Sequence, residues 1–273
     1  MVLRCNVFEG EIFIMETIDK TLEYHELLMT YDDTSKYGND KLPRGFHYEF
    51  FKPGDEEEWV LIHIKSGEFM SMEQGLKHFH DFYDYFYDEL PKRLFFVVDD
   101  HGEKIGTATI SKLKEPEFGY DAVVDWFAIK REFQGYGLSK PMINRFIKLA
   151  NELGYDKILL HTQTHTWLAA KLYLDLGFER FNVEEDIKGW QILKTITNHN
   201  KLKDIAAIDK KDMYFDVALK TKAILDEKFG NDYEYSIWHK NGRCEVEVNY
   251  KDKLYKFKYY DGDTFRLEEE NND

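Results

Sequence analysis

AVVDWFAIKREFQGYGLSK, residues 122–140, decides the fold. Its first eight residues, Ala122 to Ile129, are rich in β-branched and aromatic side chains and predict a strand. Glycines at 135 and 137 follow, and then Leu138, Met142, Ile143, Phe146, Ile147, Ala150 and Leu153 recur at helical spacing as far as Gly154, a stop signal. A strand feeding a helix through such a loop leaves the helix's first N–H groups unpaired. Those groups and the positive end of the helix dipole favour an anion, and two missing side chains let a pyrophosphate come close.

Working outward, KILLHTQ (157–163) predicts the next strand, with Thr164 or Thr166 as N-cap of a helix from Trp167 to Leu176, closed by Gly177. Upstream, the run beginning FHYEFF at Phe46 predicts a strand broken by Pro53-Gly54, and the acids Asp55 to Glu58 open a helix over 56–66. Ser71 and Gln74 form a capping-box pattern. From there Leu76, Phe79, Phe82 or Tyr83, Phe86 and Leu90 predict one helix as far as Pro91. RLFFVVD (93–99) and KIGTATI (104–110) predict a hairpin about Asp100-His101-Gly102. Residues 1–44 show no clear period and read as a lead-in, in which Met15 offers a second start.

Composition narrows the function. The chain has 37 Lys and Arg against 52 Asp and Glu, a net charge of −15 spread along its length, which repels phosphate backbones and argues against nucleic acid as partner. The same acidity attracts a cationic acceptor, and it equally serves solubility. Cys5 and Cys244 stand alone, which fits a reducing compartment and no cysteine-built metal site. No apolar run approaches the roughly 18–20 residues that cross a bilayer, and acids come too early for an export signal. A cytoplasmic protein without a membrane partner is expected.

The strand 122–129, QGYGLS, the long helix, the strand 157–163 and TWLAAKLYLDLGFERF resemble, in order and spacing, the signature of the GNAT superfamily of N-acetyltransferases, over about residues 45–182. That family's Gln/Arg-x-x-Gly-x-Gly/Ala loop falls on Gln134, Gly137 and Ser139, with serine where Gly or Ala is usual. Its Asn…Ala…Tyr…Gly-Phe helix falls on Thr166, Ala169 or Ala170, Tyr173, Gly177 and Phe178, with threonine replacing asparagine. GFHYEFFKPGDEEEW and HTQT also resemble a subgroup found in low-GC bacteria. The resemblance implies an α/β fold, a mixed central sheet flanked by helices, and acetyl-CoA as cosubstrate without a metal. It implies a cofactor site made of Gln134, Gly135, Tyr136, Gly137, Leu138, Ser139, Lys140 and Thr166, with the thioester carbonyl held by backbone N–H groups around Phe127, Ala128 and Ile129.

Direct transfer to a primary amine needs a neutral nucleophile, a route for its proton and an acid for the leaving sulfur. Tyr173 is the candidate acid, since a phenol with an ordinary pKa of about 10 keeps its proton at neutral pH. Asp125 and His161 compete as base. The helix over 72–90 lies near the acceptor site in the family layout, so Phe82, Tyr83, Tyr85 and Phe86 either shape the amine pocket or pack in the core. The acceptor is a small molecule or a protein amine. A non-catalytic acyl-CoA sensor or an interaction protein of the same fold is the alternative.

Beyond residue 182 a small α+β domain is expected: helices over 184–195 and 213–228, then four strands in an antiparallel meander. Turns at 241–242 and 251–252 set Tyr235 against Val248, Ile237 against Val246, Val246 against Phe257 and Val248 against Tyr255, with Glu247–Lys256 and Glu245–Lys258 on the other face. A three-residue loop at 261–263 then sets Tyr259 against Phe265 and Phe257 against Leu267. The apolar face needs a cover, from the preceding helices or from a second subunit in a homodimer.

Overall fold

A computed structural model describes residues 18–214, 216–230, 233–240, 243–251, 253–260 and 266–269. The chain opens with β1 (Glu26–Tyr31), β2 (Phe46–Phe50), α1 (Glu56–Ser66), α2 (Met72–Tyr83), α3 (Leu90–Arg93) and β3 (Leu94–Asp99). It continues through β4 (Lys104–Glu117), β5 (Tyr120–Ile129), α4 (Ser139–Glu152), β6 (Ile158–Gln163), α5 (Trp167–Asp175) and β7 (Glu179–Phe181). These strands form one mixed sheet in the order β2-β3-β4-β5-β6-β1-β7. Every residue of β3 is buried, as expected of a strand covered on both faces. Among the described residues no helix is long and apolar enough to cross a membrane.

Two layers of core sandwich the sheet. On one face Phe146 and Ile147 of α4, Leu174 of α5 and Phe178 meet Val97, Ile110 and Leu160. On the other, Trp59 of α1 and Phe79 and Tyr83 of α2 meet Leu94, Phe96 and Val98. Ser71 caps α2 as its spacing predicts, the hydroxyl accepting from Gln74 N–H at 3.2 Å.

The structure adds detail that the sequence does not show. The stretch read as a lead-in contains β1, which runs antiparallel to both β6 and β7 and fills the gap between them. Its Leu27 and Met29 are fully buried, but six residues of ELLMTY between polar flanks are too few to show a period. The helix expected from 72 to 90 ends at Tyr83, and a 3-10 stretch with non-helical Phe86 (φ −140°) leads into α3. That kink lets Tyr83 and Phe86 both enter the core, with Tyr83 donating to Thr109 at 2.8 Å. The main core also continues past residue 182, because Trp190 and Leu193 of α6 (Ile187–Thr197) belong to it.

The remaining chain forms α7 (Asp216–Phe229) and a sheet ordered β11-β10-β9-β8, built from β8 (Glu234–Lys240), β9 (Arg243–Tyr250), β10 (Lys253–Tyr260) and β11 (Arg266–Glu269). Every predicted pair about the first two turns is present in the ladder. The last pairing differs: Tyr259 faces Leu267 and Phe257 faces Glu269, and Phe265 lies outside the described residues. The register is slipped by two residues from the expected one, and a shift of two preserves the alternation of faces. Leu225 and Phe229 of α7 cover Tyr235, Val246, Val248 and Phe257. The small sheet also touches the main domain: Arg131 pairs with Glu234 at 2.6 Å, Asn249 donates to the Met70 carbonyl at 3.3 Å, and Lys20 donates to the Gly67 carbonyl at 3.1 Å and to that of Tyr235.

Candidate active site

The parallel ladder between β5 and β6 lasts for two residue pairs, Val123 with Leu159 and Val124 with Leu160. Beyond it β5 bulges. Thr109 faces Asp125 while Thr107 faces Ala128, so Trp126 and Phe127 together oppose one residue of β4. Trp126 takes φ +53°, a conformation that a bulky side chain adopts only when its surroundings enforce it. The bulge sends Trp126 towards Trp59 and Phe82, each 5.3 Å between centroids, and Phe127 the other way, 6.1 Å from both Phe146 and Tyr173. The two strands part, and a cleft opens in the sheet.

Two cavities occupy the cleft. A groove of about 430 Å³ runs along α5 and is lined by Phe127, Ala128, Ile129, Gln134, Gly135, Gly137, Ser139, Lys140 and Thr166. A larger cavity of about 750 Å³ lies on the α1–α2 side and is lined by Asp125, Trp126, His161 and Tyr173. Glu68, Phe127, Thr166 and Ala169 border both.

The groove is suited to a diphosphate. Gln134 pins the loop to the end of β5, its amide donating to the Ile129 carbonyl at 3.1 Å. Gly135 and Gly137 take φ +84° and +79°, which favour glycine. A Cβ at Gly135 would meet nothing within 4 Å, so the glycine supplies backbone conformation and leaves the approach open. Among the described residues, the N–H groups of Gly135, Tyr136, Gly137 and Leu138 donate to no backbone carbonyl. They stand at the start of α4, where a helix N-terminus attracts negative charge; Lys140 adds positive charge, and Lys171, also in the groove, pairs with Asp175 at 2.7 Å. Two residues of the expected cofactor set lie outside its lining: Tyr136 is exposed, with its ring against Phe46 and Phe133, and the Leu138 side chain is buried in the core.

The three residues expected to carry chemistry all line the larger cavity. Tyr173 is 3% exposed, and burial, then the charge of Glu68, push its pKa well above the ordinary value. Asp125 is raised by burial; the Ser111 hydroxyl and His161 oppose the shift and Glu117 adds to it. His161 is tied at both ring nitrogens, with Nδ1 3.0 Å from Glu26 and Nε2 3.3 Å from Glu117. A ring held between two carboxylates is placed for bridging more than for taking up a substrate proton.

Glu68 was not legible in the sequence. It sits in the loop between α1 and α2, set there by Gly67, whose φ of +91° ends α1, and by the bond from its own N–H to the His63 carbonyl at 2.9 Å. Burial raises the Glu68 carboxyl, against the opposing charge of Lys20. His63 was also missed. It lines the larger cavity at 1% exposure, and burial pulls its pKa down to about 3.

Residues 59–178 match the model of the acetyltransferase (GNAT) family. Among curated proteins, the chain is 28% identical to N-acetyltransferase 8B of Rattus norvegicus over 87 residues, which is 32% of this chain and 39% of that protein. It is 26% identical to a mycothiol acetyltransferase of Pseudarthrobacter chlorophenolicus over 153 residues, 52% of this chain and 45% of that one. The chain therefore spans less than half the length of these relatives. A solved GCN5-related N-acetyltransferase from Sphaerobacter thermophilus aligns with a TM-score of 0.47 at 15% identity, covering 59% of this chain and 50% of that one. The glycine loop, the bulged strand and the helix bearing Tyr173 all fall within the matched span, and residues 59–178 form a domain of the acetyltransferase (GNAT) family.

Proposed function

We propose that the protein transfers an acetyl group from acetyl-CoA to a primary amine, with the groove holding the cosubstrate and the larger cavity the amine. The observation that carries the reading is the meeting of the two cavities at Glu68, Phe127, Thr166 and Ala169, on the border that Tyr173 adjoins. Acetyl-CoA, when bound, supplies an activated thioester carbonyl. The free amides from Gly135 to Leu138, with Lys140, hold its diphosphate, and Thr166 lines the junction. Backbone N–H groups at the β5 bulge, around Phe127, Ala128 and Ile129, polarise the carbonyl.

Glu68 takes the proton from the amine, its raised pKa bringing it nearer to the range in which a base is effective at neutral pH. As the N–C bond forms and the C–S bond breaks, Tyr173 gives its proton to the leaving sulfur. Asp125 and His161 hold the acceptor on the far wall. The test is thiol release from acetyl-CoA across a panel of amines, with thermal unfolding followed in parallel. Turnover with at least one primary amine is expected, and coenzyme A raises the melting temperature. A thermal shift without turnover on any amine turns the assignment to a non-catalytic acyl-CoA sensor.

A further inference from the structure

We infer that the amine admitted to the larger cavity is a small aliphatic molecule carrying two or more ammonium groups, an inference that rests on the acetyl-transfer reading above. Six carboxylates line that cavity, Glu26, Glu68, Asp81, Glu115, Glu117 and Asp125, against a single lysine, Lys114. They are graded by depth. Glu26, Asp81 and Glu115 are exposed at the rim, whereas Glu68, Glu117 and Asp125 are half-buried. Lys77 holds Asp81 at 2.5 Å, and Lys114 lies 4.4 Å from the centre of the Tyr85 ring.

A second feature points to a ligand independently of the acids. His63 is 1% exposed and lines the same cavity, and neither ring nitrogen has a hydrogen-bond partner among the described residues. Burial keeps its ring neutral, which leaves an acceptor lone pair beside Trp126, whose ring lies 5.2 Å from that of His63 and 5.3 Å from that of Phe82. Aromatic faces alternating with carboxylates suit alkylammonium groups, whose charge attracts both and whose methylenes pack on the rings.

The chemistry of transfer decides how many nitrogens are needed. The reacting amine is neutral when it attacks, so it cannot also offset the charge of the wall. A monoamine, neutral when it attacks, would bring no cation to a wall whose partners on the protein are His161 at Glu26 and Glu117, Lys77 at Asp81 and Lys20 towards Glu68, and the mismatch is costly where water is scarce. A second ammonium elsewhere on the same molecule removes that cost and draws the acceptor in along the graded acids.

The full chain is assayed with acetyl-CoA and spermidine, 1,3-diaminopropane, a 2-deoxystreptamine-type aminocyclitol, butylamine or a lysine-containing peptide. Expected is a kcat/KM for at least one polyamine or the aminocyclitol about a hundredfold above butylamine, with KM rising steeply with salt. The comparison of spermidine with the aminocyclitol separates flexible from cyclic skeletons. Glu115→Gln and Asp81→Asn each lower kcat/KM for the preferred polycation about tenfold while the thermal shift with coenzyme A persists. Equal use of butylamine and the polycations, or preference for the peptide, overturns the inference and leaves acetyl transfer standing. If no amine is acetylated although coenzyme A binds, transfer alone fails, and calorimetric titration with spermidine decides. Salt-sensitive binding weakened in Glu68→Gln supports the inference, and no binding overturns it.

Discussion

Glu68 borders both cavities and Tyr173 lines the larger of them, and the carboxylate of Glu68 adds to burial in raising the pKa of the Tyr173 phenol. One group of the pair is a carboxyl whose own proton affinity is raised, and the other is an acid that does not ionise at neutral pH. Environments that divide two titratable groups in this way assign one to accept a proton and the other to donate one.

Tyr173→Phe is expected to lower kcat about a hundredfold, the usual value of a positioned general acid. The ring stays among Phe127, Phe146 and Phe178, so unfolding in urea changes little and the melting-temperature shift with coenzyme A is retained. Full turnover in this variant would remove the phenol from the reaction.

Glu68→Gln and Asp125→Asn separate two carboxyls that burial raises alike. A base works only when deprotonated, so kcat/KM for the wild type falls as pH drops through a range above that of ordinary carboxylates. Glu68→Gln loses that limb together with about a hundredfold in rate. Asp125→Asn keeps the limb and raises KM for the amine. The pH–rate profiles of the two variants reverse if Asp125 is the base.

Gly135→Ala forces a side chain onto a backbone at φ +84°, at a cost of about 1–2 kcal/mol. No protein atom obstructs the new methyl group, so the larger effect falls on the ligand. Coenzyme A affinity measured by calorimetry drops more than about tenfold, because the methyl group stands where the phosphates approach. Unchanged affinity would place the diphosphate elsewhere.

His63 makes stability depend on acidity. Its pKa falls from the ordinary 6.5 to about 3 on folding, so the unfolded chain binds a proton more readily than the folded one between those values. The stability it contributes is complete above pH 6.5 and declines by about 1.4 kcal/mol per pH unit as the pH falls towards 3. Urea titrations of His63→Leu are expected to show a flatter acid dependence than the wild type. An unchanged slope would mean that the imidazole is not held neutral.

The parts legible in the sequence are those in which local chemistry and tertiary role coincide. Gly135, Gly137 and the stripe from Leu138 to Leu153 announce a loop and a helix because the backbone itself makes the site. The turn at 241–242 and the alternation through Val246, Val248, Tyr255 and Phe257 set a register that the ladder repeats. Glu68 gives no such sign, since a glutamate after a helix-ending glycine looks like any solvated loop residue until the cavities are seen to meet there. Phe79, Phe82 or Tyr83, Phe86 and Leu90 read as one helix face because spacing cannot show that Phe86 abandons helical geometry to be buried. His161 competes with Asp125 as base in the sequence, and only the fold reveals that Glu26 and Glu117 hold it from either side.

The slot that Glu26–Tyr31 occupies has a consequence for how the molecule is made. Glu26 and His161 touch although they are 135 residues apart, so ribosomes deliver ELLMTY long before either neighbour exists. At about 5–20 residues per second the gap amounts to roughly ten seconds. Throughout that interval the nascent segment has two bare edges, and the sheet closes only when the second half of the domain has emerged to clasp it.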